Sequence, residues 1–188
     1  LSHYRGVDVV CSSYDYENNR VPGATLPQED GDTFVLLGKM VRCMMVPGHT
    51  LGAIAYYVKE ARAVFTGDTL FTAGCGRLFE GTPRQMHDSL SSLASLPADT
   101  LVYCGHEYTE SNLRFALAME PYNQAVLARL KVVQEMRGNG EPTVPSTIGE
   151  ELRSNPFLRV TDRHLAASVG RDAPEEVFAE LRSRKDQF

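Results

Sequence analysis

The hydrophobic period of the chain changes at residue 108. Before that point apolar residues come in short runs, Val7–Cys11, Phe34–Leu37, Met40–Val46, Ile54–Val58, Ala63–Thr66 and Leu101–Cys104, most of them bounded by turn residues. Runs of this length and composition read as strands. TFVLLGKMVRCMMV predicts a hairpin turning near Gly38-Lys39, and IAYYVKEARAVFTGD a second turning near Lys59–Arg62. One helix interrupts the strands: Thr82 is its N-cap, Pro83 its first residue and Gln85 closes a capping box, with Met86, Leu90 and Leu93 on one face and a stop at Leu96-Pro97. After residue 108 the spacing is helical. Asn112–Met119 and Asn123–Met136 predict two helices broken at Glu120-Pro121, and residues 137–147 a loop. A short helix follows at Ile148–Arg153, then a last one whose capping box opens at Asp172-Ala173-Pro174-Glu175 and whose apolar face is Val177, Phe178 and Leu181. Strands first and helices after predict a sheet-bearing α/β domain over 1–108 and a helical one over 109–188.

The 188 residues carry a net charge of −5, which argues against a general nucleic-acid binder, since that needs a basic face. No apolar run approaches the ~18 residues of a membrane span. LSHYRGVDVV has neither the apolar core of a signal peptide nor the Arg-rich, Ser-rich character of a transit peptide, so targeting is not readable from this end. Cys11, Cys43, Cys75 and Cys104 are widely spaced with no CxxC, which predicts free, buried thiols rather than a disulfide framework. That points to a reducing compartment, cytoplasmic first and mitochondrial as the alternative.

Three places stand apart from ordinary core and surface. In VPGHT (46–50), FTGDTLF (65–71) and VYCGHEY (102–108) an apolar strand ends in Gly and then one polar residue: His49, Asp68 and His106. Glycine lets the backbone approach a ligand or take an unusual φ. Two imidazoles and a carboxylate suit a divalent cation such as zinc, iron or manganese, and a carboxylate has two oxygens with which to bridge a pair. His3, His87 and His164 lack this setting, and His87 is expected on the exposed side of its helix.

PGHTLGAIAYYV, AVFTGDTLFTAGCGRLFEGT, VYCGHEYTESNLRFA, GEPTVPSTIGEELRSNPFLRV and RSRKDQF resemble glyoxalase II, the hydroxyacylglutathione hydrolases of the metallo-β-lactamase superfamily, over residues 41–188. The resemblance implies a metallo-β-lactamase-like αββα sandwich, here lacking its N-terminal part, followed by an all-helical glutathione-thioester-binding domain. It implies two divalent ions, zinc first with iron or manganese as alternatives, and hydrolysis of S-D-lactoylglutathione to D-lactate and glutathione by a metal-bridged hydroxide. His49 matches a ligand of the first metal, His106 of the second, and Asp68 the bridging and catalytic carboxylate. Arg77, Phe79 and Tyr108 match substrate contacts, and Arg182 and Lys185 the basic pair for the glycine carboxylate of glutathione. The implied partner is a small glutathione thioester, with no nucleic acid and no membrane, and the chain is expected to be a monomer.

The departures carry equal weight. The family's first metal motif, T-H-x-H-x-D-H, does not occur in these residues, so three of seven ligands are present and the chain as written is expected to be incomplete and inactive alone. Phe79 stands where relatives often have Tyr, and Ala53 where many superfamily members have His. Two rival readings follow: a mono-iron persulfide dioxygenase with the same glutathione pocket, and a non-catalytic fragment or pseudoenzyme.

Overall fold

The hairpin turn at Leu37-Gly38 takes φ of +51° and +75°, the left-handed pair that a two-residue turn between twisted strands requires. From it the computed structural model, which describes residues 6–188, builds a mixed α/β fold; His3 lies outside the described residues. In chain order the elements are β1 (Val10–Ser12), α1 (Ser13–Glu17), β2 (Leu26–Gln28), β3 (Thr33–Leu36), β4 (Lys39–Met45), β5 (Ile54–Val58), β6 (Ala63–Gly67), β7 (Leu70–Phe71), β8 (Gly74–Cys75) and α2 (Pro83–Ala94). They continue with β9 (Leu101–Cys104), α3 (Thr109–Met119), α4 (Gln124–Gly138), β10 (Ser146–Thr147), α5 (Ile148–Ser154), α6 (Arg163–Val169) and α7 (Pro174–Gln187). The main sheet has the order β10-β9-β6-β5-β4-β3. Its pairs are antiparallel except β6 with β9, which run parallel across the α2 crossover.

Cross-strand partners Met44 and Ala55, and Tyr57, Val64 and Val102, share one face of the sheet. They join Met86, Leu90 and Leu93 of α2 in a buried core that also takes in Phe157, Leu165, Val177, Phe178 and Leu181. The sheet therefore shares its apolar core with α6 and α7, while α3 and α4 enclose a second cluster of Leu113, Ala116, Val126, Leu130 and Val133 with Ala73. The opposite face carries Tyr56, Phe65 and Tyr103; Phe65 and Tyr103 stack at 5.2 Å and Phe65 is 45 % exposed. Beside the six-stranded sheet the described residues form two two-stranded pieces, the antiparallel β7–β8 and the parallel β1–β2 ribbon, which meets the main sheet where the Cys43 thiol donates to Gln28 Oε1. Among the described residues no helix is long and apolar enough to cross a membrane.

Several local expectations change. The Thr82 capping box forms as expected, but α7 is capped at Ala173 without a side-chain bond, so Asp172 is not its cap. Pro174 occupies the first turn and leaves Asp172 one residue too early to reach the free N–H groups. His87 is half-buried, its ring 6.0 Å from that of Phe178, because α7 packs over the side of α2 expected to be exposed. The expected loop at 137–147 contains β10, which pairs with β9, and α6 forms under an Asp162 cap with Gly170 in the left-handed region at its end. All four cysteines are free; Cys11, Cys43 and Cys75 are buried and Cys104 partly exposed.

The helices grip the segment between β6 and α2 through buried polar groups. Glu151, 0 % exposed, accepts from the Ala73 N–H at 2.7 Å, from Asn155 Nδ2 at 2.9 Å and from Arg129 Nη2 at 2.9 Å. Asn155 Nδ2 also donates to the Gly74 carbonyl at 3.0 Å, and Asn112 Nδ2 to that of Thr72 at 3.0 Å. Breaking a buried pair by removing one partner costs about 3–5 kcal/mol, since the other charge is left uncompensated. Glu151→Ala should lower the free energy of unfolding by that amount in a denaturant titration; a loss of under ~1 kcal/mol would mean that Arg129 finds solvent.

Candidate active site

The parallel pairing of β6 and β9 puts the ends of two strands side by side, the usual place for a ligand in an open α/β sheet. Gly67 lies opposite Cys104, and the Gly105 N–H donates to the Gly67 carbonyl at 2.9 Å. The next residues, Asp68 and His106, are thereby brought together across 38 residues of sequence. Gly67 turns the chain with φ +51°, and at Gly105 the space of a Cβ is taken by the Asp68 carboxylate. His49 arrives from the loop after β4. Its Nε2 lies 3.6 Å from Asp68 Oδ2, and His106 Nε2 lies 3.4 Å from the same oxygen. The three strand-end residues converge as their common pattern predicts.

His49 is oriented by its other nitrogen. Nδ1 is 2.9 Å from the Arg77 carbonyl, which can only accept, so Nδ1 carries a proton and the ring is held with Nε2 on the side of Asp68. His106 stacks on Tyr108 at 4.9 Å and 15°, and Phe79 lies against His49 at 4.8 Å. His49 and His106 could each offer an imidazole, and Asp68 a carboxylate, to divalent cations. Among the described residues no group of three or more His, Cys, Asp or Glu is arranged to hold a metal ion, and these three donors fall short of the four of a tetrahedral zinc site.

These residues line a cavity of about 700 Å³ that also takes in Arg77, Phe79, Tyr108, Ser111, Arg182 and Lys185. All eight residues singled out from the sequence thus border one space. Lys185 Nζ donates to the Ser111 carbonyl and hydroxyl, both at 3.3 Å, and lies over the rings of Phe115 and Phe188. Burial, with Arg182 and Arg77 nearby, pushes the Lys185 amine down to about 8. Arg182 is more enclosed than a C-terminal basic pair suggests, at 5 % exposure. Its Nη1 donates to the Cys75 carbonyl at 2.9 Å, its Nη2 to Asp186 at 2.9 Å, and its plane covers Phe157 at 5.2 Å. Burial in turn pushes the Cys75 thiol up to about 11, against the pull of Arg182.

Two supporting residues escaped the sequence reading. Glu107, next to His106, accepts from the Thr143 N–H at 2.9 Å and from the hydroxyls of Thr143 and Thr109, which ties the strand end to the loop before β10. Those bonds outweigh its desolvation and hold its carboxyl below the usual range. Glu80 accepts from the Leu51 N–H and from Arg20, both at 2.8 Å, and so braces the loop that carries His49. The signal available for both was a lone acid beside a Gly-rich turn.

Residues 5–106 match the model of the metallo-beta-lactamase superfamily, and residues 107–188 that of the hydroxyacylglutathione hydrolase C-terminus. The chain is 47% identical to a hydroxyacylglutathione hydrolase of Brucella anthropi over 197 residues, which covers all of this chain and 76% of that one. It is 52% identical to one from a Synechococcus species over 188 residues, covering all of this chain and 74% of the relative. The chain belongs to the hydroxyacylglutathione hydrolase family. Among solved structures, ETHE1 from Myxococcus xanthus superposes with a TM-score of 0.58 at 25% identity, covering 98% of this chain and 68% of that one. TTHA1623 in a di-iron-bound form gives 0.53 at 26%, covering 82% and 66%. The α/β class with a C-terminal helical part is that of the family.

The approach of Gly105 to Asp68 makes a sharp test. Gly105→Ala should displace the carboxylate while leaving the core intact, so metal affinity should fall about 10–100-fold with little change in melting temperature. Metal titration beside a thermal melt checks this; unchanged affinity would mean that Asp68 is not held as a ligand.

Proposed function

We propose that this site hydrolyses S-2-hydroxyacylglutathione thioesters, taking S-D-lactoylglutathione to D-lactate and glutathione, a step of methylglyoxal detoxification. The observation that carries the reading is the single Asp68 oxygen set between two imidazoles in a cavity that also holds Arg77, Arg182 and Lys185. A polar reaction centre and a cationic wall in one space suit a substrate with a thioester at one position and a carboxylate at another. His49, Asp68 and His106 would hold two divalent cations, zinc first and iron or manganese otherwise, with further donors needed beyond these three. Such a pair supplies Lewis acidity toward the carbonyl oxygen and brings the pKa of water toward ~7.

The chain's own groups do the rest. Asp68 orients the attacking oxygen toward the thioester carbon. A C–O bond forms between hydroxide and that carbon as the C–S bond breaks, so the acyl group leaves as the hydroxy acid, which gives its proton to solvent, and glutathione as a thiolate stable enough to need no strong general acid. Tyr108 and Phe79 flank the two imidazoles and give the substrate apolar walls. Lys185 and Arg77 draw the glycine carboxylate, with Arg182 adding its charge from behind the cavity wall.

The natural protein, isolated with its metals, should hydrolyse S-D-lactoylglutathione and carry two divalent ions per chain. One iron and no hydrolysis would favour the dioxygenase reading. The 188 residues alone, with zinc added, should show no turnover, because three donors cannot complete two sites.

The glycine carboxylate is remote from the scissile bond, so its contacts are equal in ground and transition states and their loss raises KM while sparing kcat. Lys185→Ala should raise KM about tenfold with kcat within about threefold. The Lys185 amine is charged below its value of about 8, so wild-type affinity should decline as pH rises through that value, and the decline should vanish in Lys185→Ala. A pH series of KM measures both.

A further inference from the structure

We infer that Asp186 is a built-in counterion of the cationic wall and limits how tightly the site holds the carboxylate of glutathione and its thioesters. The inference rests on the glutathione reading given above. Asp186 Oδ1 lies 2.9 Å from Arg182 Nη2 and 3.8 Å from Arg77 Nε, so one carboxylate oxygen is shared by guanidinium groups from α7 and from the loop after β8. Its side chain is 44 % exposed, while Arg182 is buried.

Pairing with buried Arg182 does not by itself account for the position of this carboxylate. Arg182 is held on its other sides by the Cys75 carbonyl and by the face of Phe157, and the Asp186 carboxylate, itself 44 % exposed, reaches beyond it to Arg77. Asp186 sits in the last turn of α7, where the helix dipole disfavours a negative charge. Its pairing, Arg first and acid four residues later, is the weaker order for an ion pair on a helix. What the carboxylate does change is the field. It neutralises part of the attraction that Arg77, Arg182 and Lys185 exert on an incoming anion. Substrate and released glutathione carry the same carboxylate, so a site with less net positive charge binds the substrate less tightly and lets the product go more readily.

The test is a binding titration of the full chain with glutathione, followed by calorimetry or by chemical-shift changes, for the wild type, Asp186→Asn and Asp186→Glu. Asp186→Asn should bind about threefold tighter or more and lose affinity more steeply with salt, whereas Asp186→Glu, which keeps the charge, should stay within about twofold of the wild type. With glutathione whose glycine carboxylate is converted to the amide, the gain in Asp186→Asn should disappear. Equal or weaker binding of glutathione by Asp186→Asn overturns the inference, as does a gain that persists with the amide. If the wild type and both variants fail to bind glutathione at all, the glutathione reading falls, and the inference with it.

Discussion

The buried carboxylate of Glu151 holds the segment on which most of the site is built. Asp68, Arg77 and Phe79 all lie between β6 and α2, a stretch with only the two-residue strands β7 and β8 to order it. Its backbone amides and carbonyls around 72–74 are bonded by Glu151, Asn155 and Asn112, three side chains from the helices beyond residue 108. A buried polar group without partners costs about 1–3 kcal/mol, so each of these bonds specifies the loop's conformation as well as stabilising it. The dependence then runs outward. The loop fixes the Arg77 carbonyl, the carbonyl holds Nδ1 of His49, and the ring so oriented places Nε2 beside Asp68. The helices therefore reach the reaction centre through a chain of hydrogen bonds, as well as bordering the cavity with Lys185 and Arg182.

The sequence was most legible where local rules and the tertiary structure agree. Strand ends marked by Gly and one polar residue pointed to His49, Asp68 and His106; for Asp68 and His106 this works because the parallel pair β6–β9 ends with them side by side, and glycine permits the close approach there. The Thr82 capping box was legible for the same reason, since every donor it satisfies is within four residues. What local rules could not carry was decided by packing. α6 has seven residues and two buried side chains, Leu165 and Val169, too few for a periodic signal. His87 reads as exposed until α7 is laid over α2. Arg182 is the instructive case: it stands four residues after Phe178 and so falls on the buried stripe of α7, which periodicity alone already implied. Reading it only as one of a basic pair for a carboxylate gave its charge and missed its confinement.

That confinement decides what the cationic wall can do. An arginine with both terminal nitrogens engaged, and its Nε buried without a partner, has few donors left to offer a ligand. Its charge is not reduced, and in a partly enclosed cavity a charge acts over several ångströms with less screening than in water. Lys185 registers this field directly, since Arg182 and Arg77 both help push its amine down. The three cations therefore differ in kind. Arg77 is exposed and reaches Asp186 at 3.8 Å, Lys185 is tethered to Ser111 with its amine pushed down to about 8, and Arg182 is buried and permanently charged. Of the three, only Lys185 can change the charge of the wall near pH 8.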